Sequence, residues 1–206
     1  NWWPQPTGAA WELTADNYLK YTGTGDSAIV NGQAGGPMAP DKKLVMEYEV
    51  DISATTAMNG FYLYTNAPTN LYSDLHMQYS KNSVIFFDMK NGGNKAGFVA
   101  SGDGPVNAAM FKTGAGEFNK VVITVDNKKL TVTINGQTLI ADYDISSTIT
   151  AAGFIGLTSA GPNAVFRNVK TTYDNGAPVY GFLAADYVVE TPSTTTSTTE
   201  STSEAS

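Results

Sequence analysis

The sequence predicts an all-β fold, a two-sheet antiparallel β-sandwich of the jelly-roll type. Most apolar residues alternate with polar ones in short runs, and Gly, Asn, Asp and Pro separate these runs, as expected for strands joined by tight turns. Helical periodicity is nearly absent. Many short strands at a spacing of about 8–12 residues are typical of a sandwich or jelly roll, so these observations together indicate the fold class.

The clearest element is a three-stranded meander in the second half of the chain. Its strands are predicted at residues 121–125, 130–134 and 137–140, where apolar and polar residues alternate most regularly. The last two strands are separated by Asn135-Gly136. Asn and Gly accept the positive φ angles of a type I′ turn, so this dipeptide predicts a tight hairpin.

Further strands are predicted wherever the same alternation recurs. They lie at residues 11–14, 18–22, 28–31, 44–52, 60–65, 75–80, 84–90, 97–100, 153–157 and 164–172, and the aromatic residues within 178–190 predict a last strand. From Thr191 onward the chain is rich in Ser and Thr and cannot form a core. We therefore expect one sandwich domain over residues 1–190 and a linker over residues 191–206.

The charge balance excludes several classes of partner. The formal net charge is −7 and Arg167 is the only arginine, so the chain has no basic stripe for a phosphate backbone. No apolar run is long enough to span a bilayer. We expect no nucleic-acid partner and no membrane insertion.

The absence of cysteine does not by itself decide the compartment. The Ser/Thr-rich tail, however, resembles the stalks that join the modules of exported proteins. The N-terminal residues lack the pattern of a signal peptide, so we expect a mature form. We therefore expect an extracellular module, secreted or attached to the cell surface, that is monomeric within a larger protein.

Three blocks of sequence, in this order, resemble a known family. The first is Trp-Glu-Leu-Thr at 11–14 with Tyr-Leu-Lys-Tyr-Thr-Gly at 18–23, the second runs from 117 to 137, and the third from 153 to 169. They are similar to the concanavalin-like glycan domains of family 66 carbohydrate-binding modules in fructan-degrading enzymes and of the 3-keto-disaccharide hydrolase family. The resemblance implies a lectin-like sandwich whose ligand lies on the concave face of one sheet, on strands within residues 60–90.

Alternation along those strands predicts the ligand-binding residues. Side chains two residues apart share a face, which would group aromatic rings with hydrogen-bonding groups on one surface. A pyranose needs flat apolar contacts together with donors and acceptors for its hydroxyls. The candidates are Tyr62, Tyr64, His76, Gln78, Phe86, Asp88 and Lys90. The same residues would also be explained by a half-exposed sheet with no ligand.

The three tryptophans have separate interpretations. Trp2 and Trp3 are candidates either for an exposed stacking platform or for a cover over one edge of the sandwich. Trp11 lies in a predicted strand, which favours a place in the core.

Catalysis and metal binding have weaker signals. Glu47, Glu49 and Asp51 share one face of a predicted strand, which loosely resembles the acidic strand of concanavalin-like glycoside hydrolases, but a solvated outer strand explains them equally well. We assign no catalytic residue. One histidine and no cysteine rule out a zinc cluster. No cofactor is expected, although loop oxygens could hold calcium, from Asp103, Asp126, Asn127, Asp142 and Asp144.

The leading hypothesis is a non-catalytic carbohydrate-binding module of an exported bacterial glycan-harvesting protein. Its partner would be a polysaccharide or oligosaccharide. Aromatic residues that can stack on glucose favour an α-glucan such as starch over fructan. The alternatives are an adhesin domain that binds host glycan or protein and, less favoured, a glycoside hydrolase.

Overall fold

Two antiparallel sheets packed face to face form the domain. A computed structural model describes residues 2–5, 10–31, 36–66, 73–81, 83–94, 100–101 and 110–190, and within these ranges there are sixteen strands, β1 to β16, and one short 3₁₀ turn. The predicted fold class is confirmed. The Ser/Thr-rich segment 191–206 lies outside the described residues. In the described part of the chain, no helix is both long and apolar enough to cross a membrane.

The first sheet, called the front sheet, carries the strands predicted to hold the ligand. Its strands in spatial order are β1 (Trp2–Gln5), β4 (Ser27–Asn31), β14 (Phe154–Ser159), β6 (Asn59–Thr65), β7 (Leu75–Ser80), β8 (Ser83–Asp88) and β10 (Ala100–Ser101), with β9 (Gly93–Asn94) also paired to β8. The 3₁₀ turn Met89–Asn91 follows β8 directly.

The second sheet, called the back sheet, contains the predicted meander. Its strands in spatial order are β13 (Gln137–Asp144), β12 (Lys129–Ile134), β11 (Asn119–Asp126), β5 (Leu44–Asp51), β15 (Val165–Tyr173), β3 (Leu19–Tyr21) and β2 (Trp11–Leu13), with β16 (Val179–Tyr180) also paired to β15. Asn135 and Gly136 both have positive φ, at 51° and 79°, which confirms the predicted tight turn.

The core lies between the sheets and is built by alternation. Along β5 the inward residues are fully buried while the outward ones are half-buried, and β7 and β8 alternate in the same way. The Tyr48 and Tyr79 hydroxyls meet across the core at 2.9 Å, one from each sheet, so each buried phenol satisfies the other. Trp11 packs on this core through Tyr21 and Phe166, with ring centroids 5.0 and 6.1 Å away.

Some predicted element bounds differ from the structure. The strand predicted to reach Lys90 ends at Asp88, because the carboxylate of Asp88 accepts a hydrogen bond from the Asn91 amide and starts the 3₁₀ turn. Within the predicted last strand only Val179–Tyr180 pairs as a strand. Residues 97–99 of another predicted strand lie outside the described residues. The strand at Trp2–Gln5 was not predicted.

The pairing of β6 with β7 requires glycine at position 60. Gly60 lies opposite Gln78, and a Cβ added there would lie 1.8 Å from the carbonyl oxygen of Met77. No real contact is that short, so a side chain at this position must push the two strands apart.

We expect Gly60→Ala to lower the free energy of unfolding by about 1–3 kcal/mol or more, because the added methyl group overlaps backbone atoms that cannot move aside without breaking the strand pair. Urea unfolding measures the change. Gly176→Ala is the matched control, since its methyl group would come no closer than 3.1 Å to the carbonyl oxygen of Tyr173. Equal stability losses in the two variants would contradict the close approach at Gly60.

Candidate functional site

A row of three rings crosses the outward face of the front sheet. Tyr62 pairs with His76 across β6 and β7, and His76 pairs with Phe87 across β7 and β8. The Tyr62 ring meets the imidazole edge-on with centroids 5.2 Å apart, and the imidazole stacks on the Phe87 ring at 4.5 Å and 20°. We call Tyr62, His76 and Phe87 the ring row. The Tyr62 side chain is only 4% exposed, so a ligand cannot contact the row at that end. His76 and Phe87 are partly exposed, and a ligand can reach the row there.

A β-bulge in β6 breaks the alternation next to this row. Tyr62 lies opposite Gly156 and Thr65 opposite Phe154, so two residues of β6, Leu63 and Tyr64, face a single residue of β14. Tyr64 has a φ of 55°, which is unusual for an aromatic residue in a strand. The bulge therefore turns Tyr64 away from the face of Tyr62.

Gly153 accommodates the bulge from β14's side. A Cβ at Gly153 would lie 2.6–2.7 Å from backbone atoms of Tyr64 and Thr65. The Tyr64 ring joins the core cluster and is 7% exposed, and its hydroxyl has no hydrogen-bond partner among the described residues. Burial, with a smaller contribution from Tyr173 and Asp41, raises the pKa of this phenol, so it stays protonated.

The ring row opens into a cavity of about 480 Å³ at the end of β6, β7 and β8. We call it the front cavity, and its described lining consists of Tyr64, Asn66, Ser73, Asp74, His76, Phe87 and Met89. This volume is in the range of small-molecule sites, about 300–1,000 Å³. The Phe87 ring, an imidazole, an amide and a carboxylate thus line one space.

His76 is held in one tautomer by the backbone. Its Nδ1 lies 3.0 Å from the carbonyl oxygen of Ser73, and a carbonyl can only accept, so Nδ1 carries the proton. The Nε2 atom of the neutral ring is then a hydrogen-bond acceptor. Burial lowers the pKa of His76, and this effect outweighs the Ser73 carbonyl and the charge of Asp74, which act in the opposite direction.

Asp88 is a structural carboxylate behind the cavity. It is 0% exposed and accepts hydrogen bonds from Tyr143 Oη at 2.8 Å, Thr148 Oγ1 at 2.5 Å, Asn91 Nδ2 at 2.8 Å and Asn91 N at 3.1 Å. Burial raises the pKa of the Asp88 carboxyl, but these donors together outweigh it and leave the pKa below its ordinary value. Asp88 therefore ties β8 to β13 of the back sheet and to the loop at Thr148.

Lys90 stands at the edge of the site. Its Nζ lies 3.3 Å from Asp74 Oδ2 and 3.0 Å from the carbonyl oxygen of Thr148. Lys90 and Thr148 line a smaller cavity of about 240 Å³, which shares Tyr64, Asn66 and Asp74 with the front cavity. Asp74 therefore lines both cavities, and its partner Lys90 lines the smaller one.

The structure separates the predicted site residues into three groups. Tyr62, His76 and Gln78 lie on the outward face of the front sheet as expected, and of these three His76 lines the front cavity. Lys90, in the 3₁₀ turn, lines the smaller cavity beside it. The prediction that Phe86 and Asp88 share this face was wrong: both are fully buried on the inward face of β8. The prediction that Tyr64 shares the face of Tyr62 was wrong as well, because of the bulge.

The described structure contains the backbone of Trp2 and Trp3, in β1 at the end of the front sheet. Their side chains lie outside the described residues. Their role in binding therefore stays a prediction.

Phe87 is the main residue that sequence reasoning missed, and the chain did carry a signal for it. Strands β7 and β8 are joined at Ser80 and Ser83, which pair with each other. A two-residue connection fixes the register, and counting back from it places Phe87 opposite His76. Asn66, Asp74 and Met89 lie outside the strands, and no periodic pattern marked them.

The acidic strand lies on the other side of the sandwich. Glu47, Glu49 and Asp51 point outward from the back sheet, and Glu47 bonds to Lys120 at 3.2 Å and to Lys170. Glu49 accepts from Arg167 Nε at 2.7 Å. These carboxylates do not face the front cavity.

The calcium candidates that the structure describes are not gathered into a cluster. In the ranges that the structure covers, no group of three or more His, Cys, Asp or Glu residues is placed to hold a metal ion. Asp126 pairs with Lys43 and Asp144 with Lys129, whereas Asp103 lies outside those ranges.

Comparison with known proteins connects this geometry to a family. The sequence model of the 3-keto-alpha-glucoside-1,2-lyase-like domain matches residues 7–172. The chain belongs to this family. The resemblance read from the three sequence blocks is thereby confirmed. No curated protein sequence matches the chain.

Solved structures extend the comparison to the fold. A family 66 carbohydrate-binding module from Bacillus subtilis aligns with a TM-score of 0.56 at 16% identity, over 82% of this chain and 94% of that one. The carbohydrate recognition domain of Emp46p in its metal-free form gives 0.55 at 12%, over 85% and 88%. A candidate glycosyl hydrolase from Parabacteroides distasonis gives 0.51 at 17%, over 81% and 84%. At these identities the likeness establishes the fold: a sandwich shared by carbohydrate-binding and glycosyl-hydrolase-like domains.

The single histidine gives a pH test of the ring row. Because the pKa of His76 lies below 6.5 in the folded state, the unfolded chain binds more protons between that lowered pKa and pH 6.5. We expect the free energy of unfolding to be fully maintained above about pH 6.5 and to decrease as the pH falls from there to the lowered pKa. Urea unfolding of wild type and His76→Gln over this interval measures it, and parallel pH profiles would show that folding does not lower the pKa of His76.

Asp88→Asn tests the buried carboxylate. The amide that replaces it can no longer accept from all four donors, so we expect the free energy of unfolding to fall by about 1.5–3 kcal/mol. Asp142→Asn is the matched control, since Asp142 is exposed and its φ of 49° suits asparagine. Thermal and urea unfolding measure both. An Asp88→Asn protein as stable as Asp142→Asn would show that these hydrogen bonds contribute little.

Proposed function

We propose that this domain binds a neutral polysaccharide at the ring row and front cavity and carries out no chemistry on it. The observation that supports this most is that the imidazole and Phe87 rings line a cavity together with an amide and with one carboxylate, Asp74, which pairs with Lys90. Apolar rings and polar groups converging on one space match the two surfaces of a sugar.

Each lining group has a counterpart on a pyranose. The Phe87 ring and the Met89 side chain, which is 54% exposed, offer apolar surface for the CH face of the sugar. Nε2 of His76 and the carboxylate of Asp74 can accept from hydroxyls, and the Lys90 ammonium can donate. A bound sugar could thus replace its contacts with water by apolar contacts and hydrogen bonds to the protein.

The ligand we propose is an α-glucan such as starch. Glucose rings present flat CH faces suited to Phe87, whereas a fructan would rely more on charged contacts. The parent protein would be an exported bacterial glycan-harvesting protein, with residues 191–206 as the linker to further modules. A carbohydrate-binding module and a carbohydrate recognition domain among the proteins of similar fold support a carbohydrate as the ligand.

The arrangement of carboxylates supports binding without turnover. Glycoside hydrolysis ordinarily needs two carboxyl groups about 5–10 Å apart around the scissile bond. Asp74 is the single carboxylate among the described residues that line the front cavity, and it is paired with Lys90. Asp88 is buried with four donors, and Glu47 and Glu49 lie on the back sheet.

A second candidate function follows from the family description, which names a lyase acting on 3-keto-α-glucosides. An elimination needs a base, and the neutral imidazole of His76 beside Asp74 is the group in the front cavity that could accept a proton. Incubation with a 3-keto-α-glucoside, followed by chromatography of the products, tests it. Turnover that is lost in His76→Ala would favour the lyase over the binding module.

We expect Phe87→Ala and His76→Ala each to weaken starch binding by roughly 5- to 150-fold, because removing a stacking ring costs about 1–3 kcal/mol. Affinity electrophoresis in a starch gel and calorimetric titration with maltoheptaose measure the loss. Phe118→Ala is the control, since its half-buried ring packs on Arg167 on the back side of the domain.

Two outcomes would count against the proposal. Wild-type affinity in both Phe87→Ala and His76→Ala would move the site elsewhere. Binding to fructan oligosaccharides or to mucin, with no retention by starch, would reject the α-glucan and favour a fructan module or an adhesin.

A further inference from the structure

The back sheet carries a second cavity, formed where the C-terminal segment crosses its outward face. Tyr180 pairs with Lys170, and the Gly181 amide donates to the Val169 carbonyl at 2.7 Å. Further along, the Ala184 amide donates to Asn168 Oδ1 at 2.9 Å. Phe182 packs against the hydrophobic core. Residues 180–184 are therefore anchored to the rest of the domain, and the segment forms one wall of the space.

This space, the back cavity, has a volume of about 420 Å³, close to that of the front cavity. Its polar and aromatic lining consists of Lys120, Lys170, Thr172, Tyr180, Tyr187 and Glu190. The two tyrosine rings lie with centroids 6.5 Å apart at 55°. Two phenol rings with this tilt are not stacked on each other. One face of each ring can therefore contact a ligand.

The two lysines that line the back cavity share one carboxylate partner, Glu47, which lies next to the cavity. Glu47 is 18% exposed at its side chain and bonds to Lys170 and, at 3.2 Å, to Lys120. The side chains of Lys120 and Lys170 stay 58% and 30% exposed, so their remaining N–H groups can still donate. The lining of the back cavity itself holds two lysines and Glu190. Glu47, which lines a smaller neighbouring cavity and is bonded to both lysines, offsets the remaining positive charge.

That balance decides the class of ligand. An anionic ligand would compete with Glu47 for the lysines and meet Glu190 at the rim, so net attraction is absent. A neutral oligosaccharide instead accepts hydrogen bonds from the ammonium groups and places CH faces on the phenol rings. The carboxylates of Glu47 and Glu190 offset the charges of the two lysines, but the remaining N–H groups of the lysines can still donate hydrogen bonds. Such lysines bind the hydroxyl groups of a ligand better than its carboxylates.

We infer that the back cavity is a second binding site for a neutral oligosaccharide, with Tyr180 and Tyr187 as the stacking rings and Lys120 and Lys170 as the donors. It shares the ligand class of the proposed function but none of its residues. The two cavities lie on opposite faces of the sandwich, so one domain could attach to two chains of a polysaccharide or to two points of a folded one. Two weak sites joined in this way hold an insoluble polymer more tightly than either alone.

The test isolates the back cavity by working in the Phe87→Ala background. Titration calorimetry with maltoheptaose gives the residual binding, and Tyr187→Ala and Tyr180→Ala are then added separately. We expect each tyrosine change to weaken the residual binding at least tenfold. Tyr187→Phe and Tyr180→Phe, which keep the ring, should retain most of it, and circular dichroism checks that every variant is folded.

Each remaining result has a defined meaning. Unchanged residual binding in both tyrosine variants, or no residual binding in Phe87→Ala, overturns the second site. Tighter binding of hexagalacturonate than of maltoheptaose overturns its neutral ligand class, and a wild-type protein that binds neither oligosaccharide overturns the site altogether. If Phe87→Ala binds like wild type while Tyr187→Ala weakens binding, the front site fails and the back site stands.

Discussion

The candidate site depends on the register in which β6, β7 and β8 pair. Gly60 lets the backbone of β6 lie directly against the Met77 carbonyl, and the serines at the ends of β7 and β8 fix the next pair. In this register Tyr62, His76 and Phe87 come side by side, one ring from each strand. A slip of one residue would turn every one of these side chains to the other face, so the ring row exists because the register is fixed.

Polar contacts, in addition to apolar packing, hold the two sheets together. The Tyr48 and Tyr79 hydroxyls meet in the middle of the core, and Asp88 gathers Tyr143 and Thr148 at its end. A buried carboxylate is costly unless donors satisfy it, and here two side-chain hydroxyls and an asparagine do so. The same contacts hold the Thr148 loop against β8, which fixes the wall of the cavities beside Lys90. A structural carboxylate thereby shapes a space that it does not itself line.

These details explain why the sequence predicted the fold better than the site. Alternation and the Asn135-Gly136 turn are local signals, and they were sufficient for the meander and the sandwich. The site depended on two features that alternation alone does not reveal: the bulge that turns Tyr64 into the core, and the register of β7 and β8 that turns Asp88 inward. The bulge arises from pairing with β14, far away in the chain, whereas the register follows from the short connection of β7 and β8. The family resemblance correctly indicated the sandwich but could not correct the face of each residue.

Since one sandwich serves both carbohydrate-binding and hydrolase-like proteins, function must be read from what each outward face carries. On the back sheet, Glu47 and Glu49 are held in ion pairs with Lys120, Lys170 and Arg167. On the front sheet, rings dominate and Asp74 is matched by Lys90. The chain as a whole carries a net charge of −7, which disfavours the approach of an acidic polysaccharide. Local pairing and overall repulsion act in the same direction, and both favour a neutral glycan as the ligand of this domain.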